Sequence, residues 1–214
     1  GPWALKGAYN LASITCKAAT PPSLGNEAFS GVSNAITVYV PTSSVEAYKK
    51  ANGWSQFANI QPIILGSGTC GDNLTWKLTD EGELTIEGTG AMTSAPWRDY
   101  TESIKVITIK EGVTTIYDRA FEGCNQVETM IIPKGVNEIG MDAFWNCTGV
   151  LYLNSMPVTG DYMMGGAFSG SRFTKVVISD DITDIKDMAF SYMTSLTEVV
   201  LPENLQRIGG MAFS

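Results

Sequence analysis

Apolar and polar residues follow one another in a pattern that recurs along most of the chain. Val127, Met130, Ile132, Val136 and Ile139 lead to Ala143-Phe144, and the same spacing takes Leu196, Val199, Leu201, Leu205 and Ile208 to Ala212-Phe213. Ile107, Ile109, Val113 and Ile116 precede Ala120-Phe121, while Val176, Ile178, Ile182 and Ile185 precede Ala189-Phe190. With Ala167-Phe168 included, the Ala-Phe pair returns at steps of 23, 24, 22 and 23 residues. A period of that size belongs to a solenoid, in which each unit buries its apolar face only against its neighbours. The apolar-x-apolar step, as in Ile107-Thr108-Ile109, has the two-residue period of a short strand with one face inward. The Ala-Phe pair then falls on the arc that returns the chain to the next strand, a small residue beside a ring that fills the core.

The stretch from Val127 to Cys147 follows the pattern Leu-x-x-Val-x-Ile-Pro-x-x-Val-x-x-Ile-Gly-x-x-Ala-Phe-x-x-Cys nearly throughout, with Pro133, Gly140 and Cys147 in place. In this the chain resembles the leucine-rich repeats of the BspA-like type, a group of bacterial surface proteins also found in some protozoan parasites. The resemblance covers most of the chain and implies an α/β-type repeat solenoid, strand-rich. The third coil departs from the pattern. There Val150 takes the place of Val127, Asn154-Ser155-Met156-Pro157 and a Met163-Met164-Gly165-Gly166 stretch follow, and one extra residue precedes Ala167.

The amino-terminal third carries the same pattern, since Ala4-Leu5 aligns with Ala120-Phe121 and Ala28-Phe29 comes 24 residues later. Ile36 to Pro41 reads as a strand. Ser43 and Glu46 read as a capping-box pair opening a short helix through Tyr48 to Lys49-Lys50, closed by Gly53. Trp54, Phe57 and Ile60 complete a lid over an open coil edge. Gly66-Ser67-Gly68-Thr69 reads as a linker, and the alternating runs Leu74–Leu78 and Leu84–Ile86 around Asp80-Glu81-Gly82 read as a β-hairpin. Its Trp76, with Ala95-Pro96-Trp97, is expected to cover the edge of the next coil. The division that follows is residues 1–64 as the capped end of a first array, 65–104 as linker and hairpin cap, and 105–214 as a second, truncated array. Two separate cores are expected, so that cleavage near Gly66-Ser67-Gly68 leaves two folded pieces. Because both ends interrupt repeats, the chain reads as a piece excised from a longer protein, with Gly1-Pro2 as a protease scar.

Composition narrows the function classes. The net charge of −8 argues against nucleic acid, and no apolar run is long enough for a membrane span. With no histidine, Ser-His-Asp and Cys-His catalysis are impossible within the chain. Zinc is disfavoured by the same lack and by the absence of Cys-x-x-Cys spacing. Cys124 and Cys147 share a repeat position filled elsewhere by Ala8, Val32 and Met193, which marks a core position suited to free thiols. A Cys124–Cys147 disulfide between adjacent coils stays open, and Cys16 and Cys70 have no visible partner. The acidic groups Asp80-Glu81-Glu83 and Asp180-Asp181-Asp184-Asp187 lie on a hairpin turn and a strand exit, where solvated carboxylates are the ordinary outcome; calcium at the second is the alternative. No catalytic residue, cofactor or metal site is expected.

A binding function would reside on the strand face. The residues between inward positions are Val106 and Thr108, Thr129 and Ile131, Tyr152 and Asn154, Lys175 and Val177, and Glu198 and Val200. They form two columns: Thr108, Ile131, Asn154, Val177 and Val200 as an apolar stripe, and a mixed column with Tyr152, Lys175 and Glu198. Such a stripe suits a protein ligand, with Tyr152 as anchor, although valine and isoleucine also face outward through strand propensity alone. The reading is a non-catalytic adhesion or ligand-capture protein. The family resemblance implies an extracellular or cell-surface location and, as partner, a host matrix protein or another microbial surface protein. An accessory or carbohydrate-binding region of a larger surface enzyme and a structural spacer are the rivals. In a further arrangement the irregular Asn154–Gly166 segment folds over the strand face and buries Tyr152.

Overall fold

A coil of about 23 residues must return its backbone to the same side while keeping its apolar side chains inward, and the observed chain does so with two strands and one tight arc per coil. The computed structural model describes residues 1–156 and 168–214 and the backbone of residues 158–159. Ala167 and most of the third-coil insertion, Pro157 and residues 160–166, lie outside the described residues. The chain divides into two compact units, Gly1–Leu65 with Thr79–Glu81, and Gly66–Leu78 with Gly82–Ser214. Each has its own apolar cluster.

In the larger unit the expected strands form one sheet. Val106–Ile109, Thr129–Ile132, Thr148–Leu153, Arg172–Ile178 and Glu198–Val200 lie side by side, all parallel, with Ile107, Met130, Leu151, Val176 and Val199 in register. The hairpin Leu74–Thr79 and Glu83–Gly88 continues this sheet, its first strand antiparallel, with Trp76 opposite Ile86. The inward positions Val113, Ile116 and Ile139 belong to a second parallel ladder, Gly90–Ala91, Val113–Ile116, Glu138–Ile139 and Val158–Thr159, and Val136 is buried just before it. Asp184–Ile185 and Arg207–Ile208 pair in the same manner. The fold is thus a strand-rich repeat solenoid.

Why alanine and phenylalanine recur is visible in the arcs. The residue before each described Ala-Phe pair of this unit, namely Arg119, Asp142, Met188 and Met211, has positive φ between 52° and 56°. That turn points the ring inward, where Trp97, Phe121, Phe144, Phe168, Phe190 and Phe213 stack with centroids 5.1–5.7 Å apart. Offset stacks of this kind add to the gain from burial alone. Trp97 heads the column and its indole N–H donates to the Ala120 carbonyl at 2.8 Å.

The run Gly66-Ser67-Gly68-Thr69 is no flexible linker. It lies inside the strand Ile64–Gly71, and Trp76 lies across it: a methyl group on Gly66 would sit 2.7 Å from the indole ring, and one on Gly68 3.2 Å from the indole nitrogen. At Gly66 the lack of a side chain permits this close approach.

The smaller unit has a parallel sheet of Ser13–Thr15, Thr37–Val40 and Asn59–Pro62. A 3-10 turn, Thr42–Ser44, runs into the helix Val45–Lys50, which buries Tyr48. Phe29 meets Trp54 and Phe57 edge-on at 5.0 Å. The capping box does not form. Ser43 precedes the helix start by two residues, and its N–H and hydroxyl donate to Glu81 at 2.9 and 2.5 Å, while Glu46 pairs with Lys49. Asp80 accepts from the Thr42 N–H and hydroxyl, so these hairpin-turn carboxylates serve as acceptors for that 3-10 turn.

Candidate binding surface

The strand face of the larger unit is built by alternation: each strand buries one residue and turns the next outward. The register differs from the expected columns in the third coil. Ile131 lies opposite Thr108 on one side and Tyr152 on the other, Tyr152 lies opposite Val177, and Val177 opposite Val200. Tyr152 therefore stands in the apolar column and Asn154 lies beyond it. The second column runs Val106, Thr129, Val150, Lys175 and Glu198.

The cause is a shortened third coil. Leu151 follows Cys147 by four residues, whereas Met130 follows Cys124 by six, so Val150 turns outward instead of taking the inward place of Val127. Gly149 makes this possible: its φ is +93°, and a methyl group on it would sit 2.4 Å from the Val127 carbonyl. A bulge at Thr174 restores the register with the following strand. The signal was present in the alternation Leu151-Tyr152-Leu153. Two further members, Thr85 and Glu83, come from the hairpin strand and extend the columns by one position each.

Ile131, Tyr152 and Val200 are 40%, 39% and 40% exposed, so the Tyr152 ring is not covered. Thr108, Asn154 and Val177 are half-buried, as are Val106, Thr129, Val150 and Lys175. With neighbouring strands about 4.8 Å apart, the column from Thr85 to Val200 is roughly 24 Å long. Beside it Lys175 and Glu198 form an ion pair at 2.7 Å. An apolar strip flanked by a paired charge offers area for contact.

The remaining chemistry is structural. All four cysteines are free, and the Cys147 thiol donates to the Phe121 carbonyl at 3.0 Å. Burial, then hydrogen bonding with Cys124, pushes the Cys147 thiol well above its ordinary pKa, and burial pushes Cys70 up to about 11. Cys16 meets the Tyr48 hydroxyl at 3.1 Å, and burial drives the Tyr48 phenol far up. The acidic group at 180–187 is solvent-exposed, with Asp184 half-buried, and its carboxylates are paired at the surface. Asp181 pairs with Lys134, Asp184 and Asp187 with Arg207 at 3.2 and 2.9 Å, and Asp180 accepts from the Glu203 N–H.

Parallel strands stacked at a 23-residue period, with a phenylalanine column beneath them, define a leucine-rich repeat protein. The family model described as "BspA type Leucine rich repeat region (6 copies)" matches residues 99–214, and the chain belongs to that family. Among solved structures, a leucine-rich repeat protein from Eubacterium ventriosum is 23% identical over 65% of this chain and 45% of its own, with a TM-score of 0.45. A leucine rich cell surface protein from Faecalibacterium prausnitzii is 18% identical over 89% and 51%, with a TM-score of 0.33. The chain spans about half the length of these two proteins. No curated protein matches it.

Proposed function

We propose that this chain is a non-catalytic binding region of an extracellular or cell-surface protein, and that the strand face of its larger unit takes a protein ligand. The observation that carries this reading is the outward column Thr108, Ile131, Tyr152, Val177 and Val200, of which Ile131, Tyr152 and Val200 are exposed, with an aromatic at its middle and aliphatic neighbours on both sides. An outward aromatic flanked by branched aliphatics is the residue content of an interface anchor. The second column contributes Val106, Thr129, Lys175 and Glu198 as a more polar border, and Asn154 lies at the strand exit. Family membership in a group of surface repeat proteins supports the location, and a host matrix protein or another microbial surface protein is the partner class. The two units are read as the capped end of one array and the start of another. Surface plasmon resonance of the chain against matrix proteins and bacterial cells, with Tyr152→Ala and Ile131→Asp alongside, tests the reading. Binding unchanged by both substitutions removes this face from the function.

A further inference from the structure

The arcs of successive coils are joined by backbone hydrogen bonds at alternate residues. Arg119, Phe121 and Gly123 donate to the carbonyls of Met141, Ala143 and Trp145, each at 2.9 Å. Met188, Phe190 and Tyr192 donate in the same way to Gly210, Ala212 and Ser214 at 2.8–2.9 Å. In the smaller unit Trp3, Leu5 and Gly7 donate to Asn26, Ala28 and Ser30 at 2.8–3.0 Å. The donors always point toward the following coil.

The arc that receives those last three bonds carries its own set one coil further on, the N–H groups of Glu27, Phe29 and Gly31. It has the same left-handed residues, Glu27 at φ 56° and Gly31 at φ 86°. None of the three N–H groups has a hydrogen-bond partner among the described residues. Phe29 is only 7% exposed, and an amide donor so placed normally finds an acceptor, while Glu27 and Gly31 are exposed at the mouth of the space. What lies before them is a cavity of about 480 Å³, with the arc from Leu24 to Val32 on one side and Asn52, Gly53 and Gln56 on the other. The helix and the turn after it stand where another arc would come. Trp54 and Phe57 fill the ring position against Phe29, but no carbonyl of that turn reaches the three donors.

We propose that this cavity is a second binding site and that it takes peptide main chain. The occupant is a short segment of small residues whose alternate carbonyls accept from Glu27, Phe29 and Gly31, as Gly210, Ala212 and Ser214 do elsewhere. The donor spacing is the one this fold uses to hold a peptide backbone. Small side chains follow because Trp54 and Phe57 already occupy the ring position. A neutral ligand follows because no lysine or arginine lines the cavity, and its one carboxylate, Glu27, is paired with Lys6. Backbone amides of alternating handedness also form anion nests, but an anion here would lack a counter-charge. The volume lies within the range of ligand sites, roughly 300–1,000 Å³.

The test is a titration of the uniformly ¹⁵N-labelled chain with acetyl-Gly-Met-Ala-Ala-Ser-amide, the Gly210–Ser214 sequence with alanine for its phenylalanine, followed by amide NMR. Saturable downfield shifts confined to Glu27, Phe29, Gly31 and their neighbours are expected, with a dissociation constant of ~1 mM or tighter. Asn52→Trp, which fills the far wall, should weaken the response about tenfold. Absence of shifts in the wild-type chain up to ~10 mM peptide overturns the proposal, independently of how the variant folds. Equal shifts with sodium acetate overturn it in favour of an anion nest.

Discussion

The Asp118 carboxylate reaches across a coil interface to accept the Met141 N–H at 2.8 Å, and Gly140 is the residue that lets it approach. A methyl group at Gly140 would stand 2.3 Å from Asp118 Oδ1 and 2.5 Å from the Asp118 nitrogen. Asp187 and Gly209 repeat the arrangement, with the Gly210 N–H donating to Asp187 at 2.9 Å. Gly140→Ala is expected to lower stability by about 1–3 kcal/mol in urea denaturation, the range of overpacking in a close-packed site. Because the backbone of Asp118 is part of the clash, Asp118→Ala should not rescue it. Full rescue would show that the carboxylate alone sets the glycine requirement.

The ring column supplies a second expectation. Phe144 is stacked on Phe121 and Phe168 at 5.7 and 5.2 Å and is fully buried, whereas Phe213 stacks on Phe190 alone and is 37% exposed. Phe144→Ala should cost about 3–5 kcal/mol, and Phe213→Ala well under half as much, by equilibrium unfolding. Equal losses would mean that the column does not act through local packing.

The thiols give a pH dependence. Cys70, Cys124 and Cys147 are buried and should resist iodoacetamide in the folded chain, while half-buried Cys16 labels. Cys70 rises from 9.0 to about 11 on folding, so the folded state holds a proton that the unfolded state releases. Its stabilising effect is fully present below about pH 9 and is lost as the pH climbs through about 11, roughly 2–3 kcal/mol in all. Cys147 and Tyr48 shift in the same direction. Cys70→Ala should flatten the alkaline limb of a stability–pH curve; an unchanged slope would assign it to the other groups.

For the strand face, Tyr152→Ala is expected to weaken binding of the protein ligand by on the order of 1–2 kcal/mol, the size of an interface anchor, with little change in Tm. The ring is 39% exposed, so its loss opens no core cavity. A large fall in Tm instead would place Tyr152 in packing, not recognition.

Much of the architecture was legible in the residues. The inward positions, the strand in each coil, the hairpin, and the burial of Cys124 and Cys147 follow from alternation and from the 23-residue return of Ala-Phe, because facing inward is a local property of the pleat. The pairing of residues across coils was less legible. The repeat pattern sets Val150 in the inward place of Val127, yet the coil is two residues shorter to the strand, and Gly149 absorbs the difference with a left-handed turn. That moved Tyr152 into the apolar column.

The amino-acid sequence by itself determined a repeating coil and most of its core, although Leu201 and Ile208, read as inward in the fifth coil, are exposed. Tertiary structure alone decided which residues meet. It put Trp76 on Gly66, Ser43 against Glu81 in place of the capping box, and Arg207 against Asp184 and Asp187. It also left Glu27, Phe29 and Gly31 facing a cavity, since whether a backbone donor finds a carbonyl depends on a segment more than twenty residues away. Apolar periodicity reports burial, which each residue expresses alone; hydrogen bonds and close glycine contacts belong to pairs, and their partners are set by coil length and by how the coils stack.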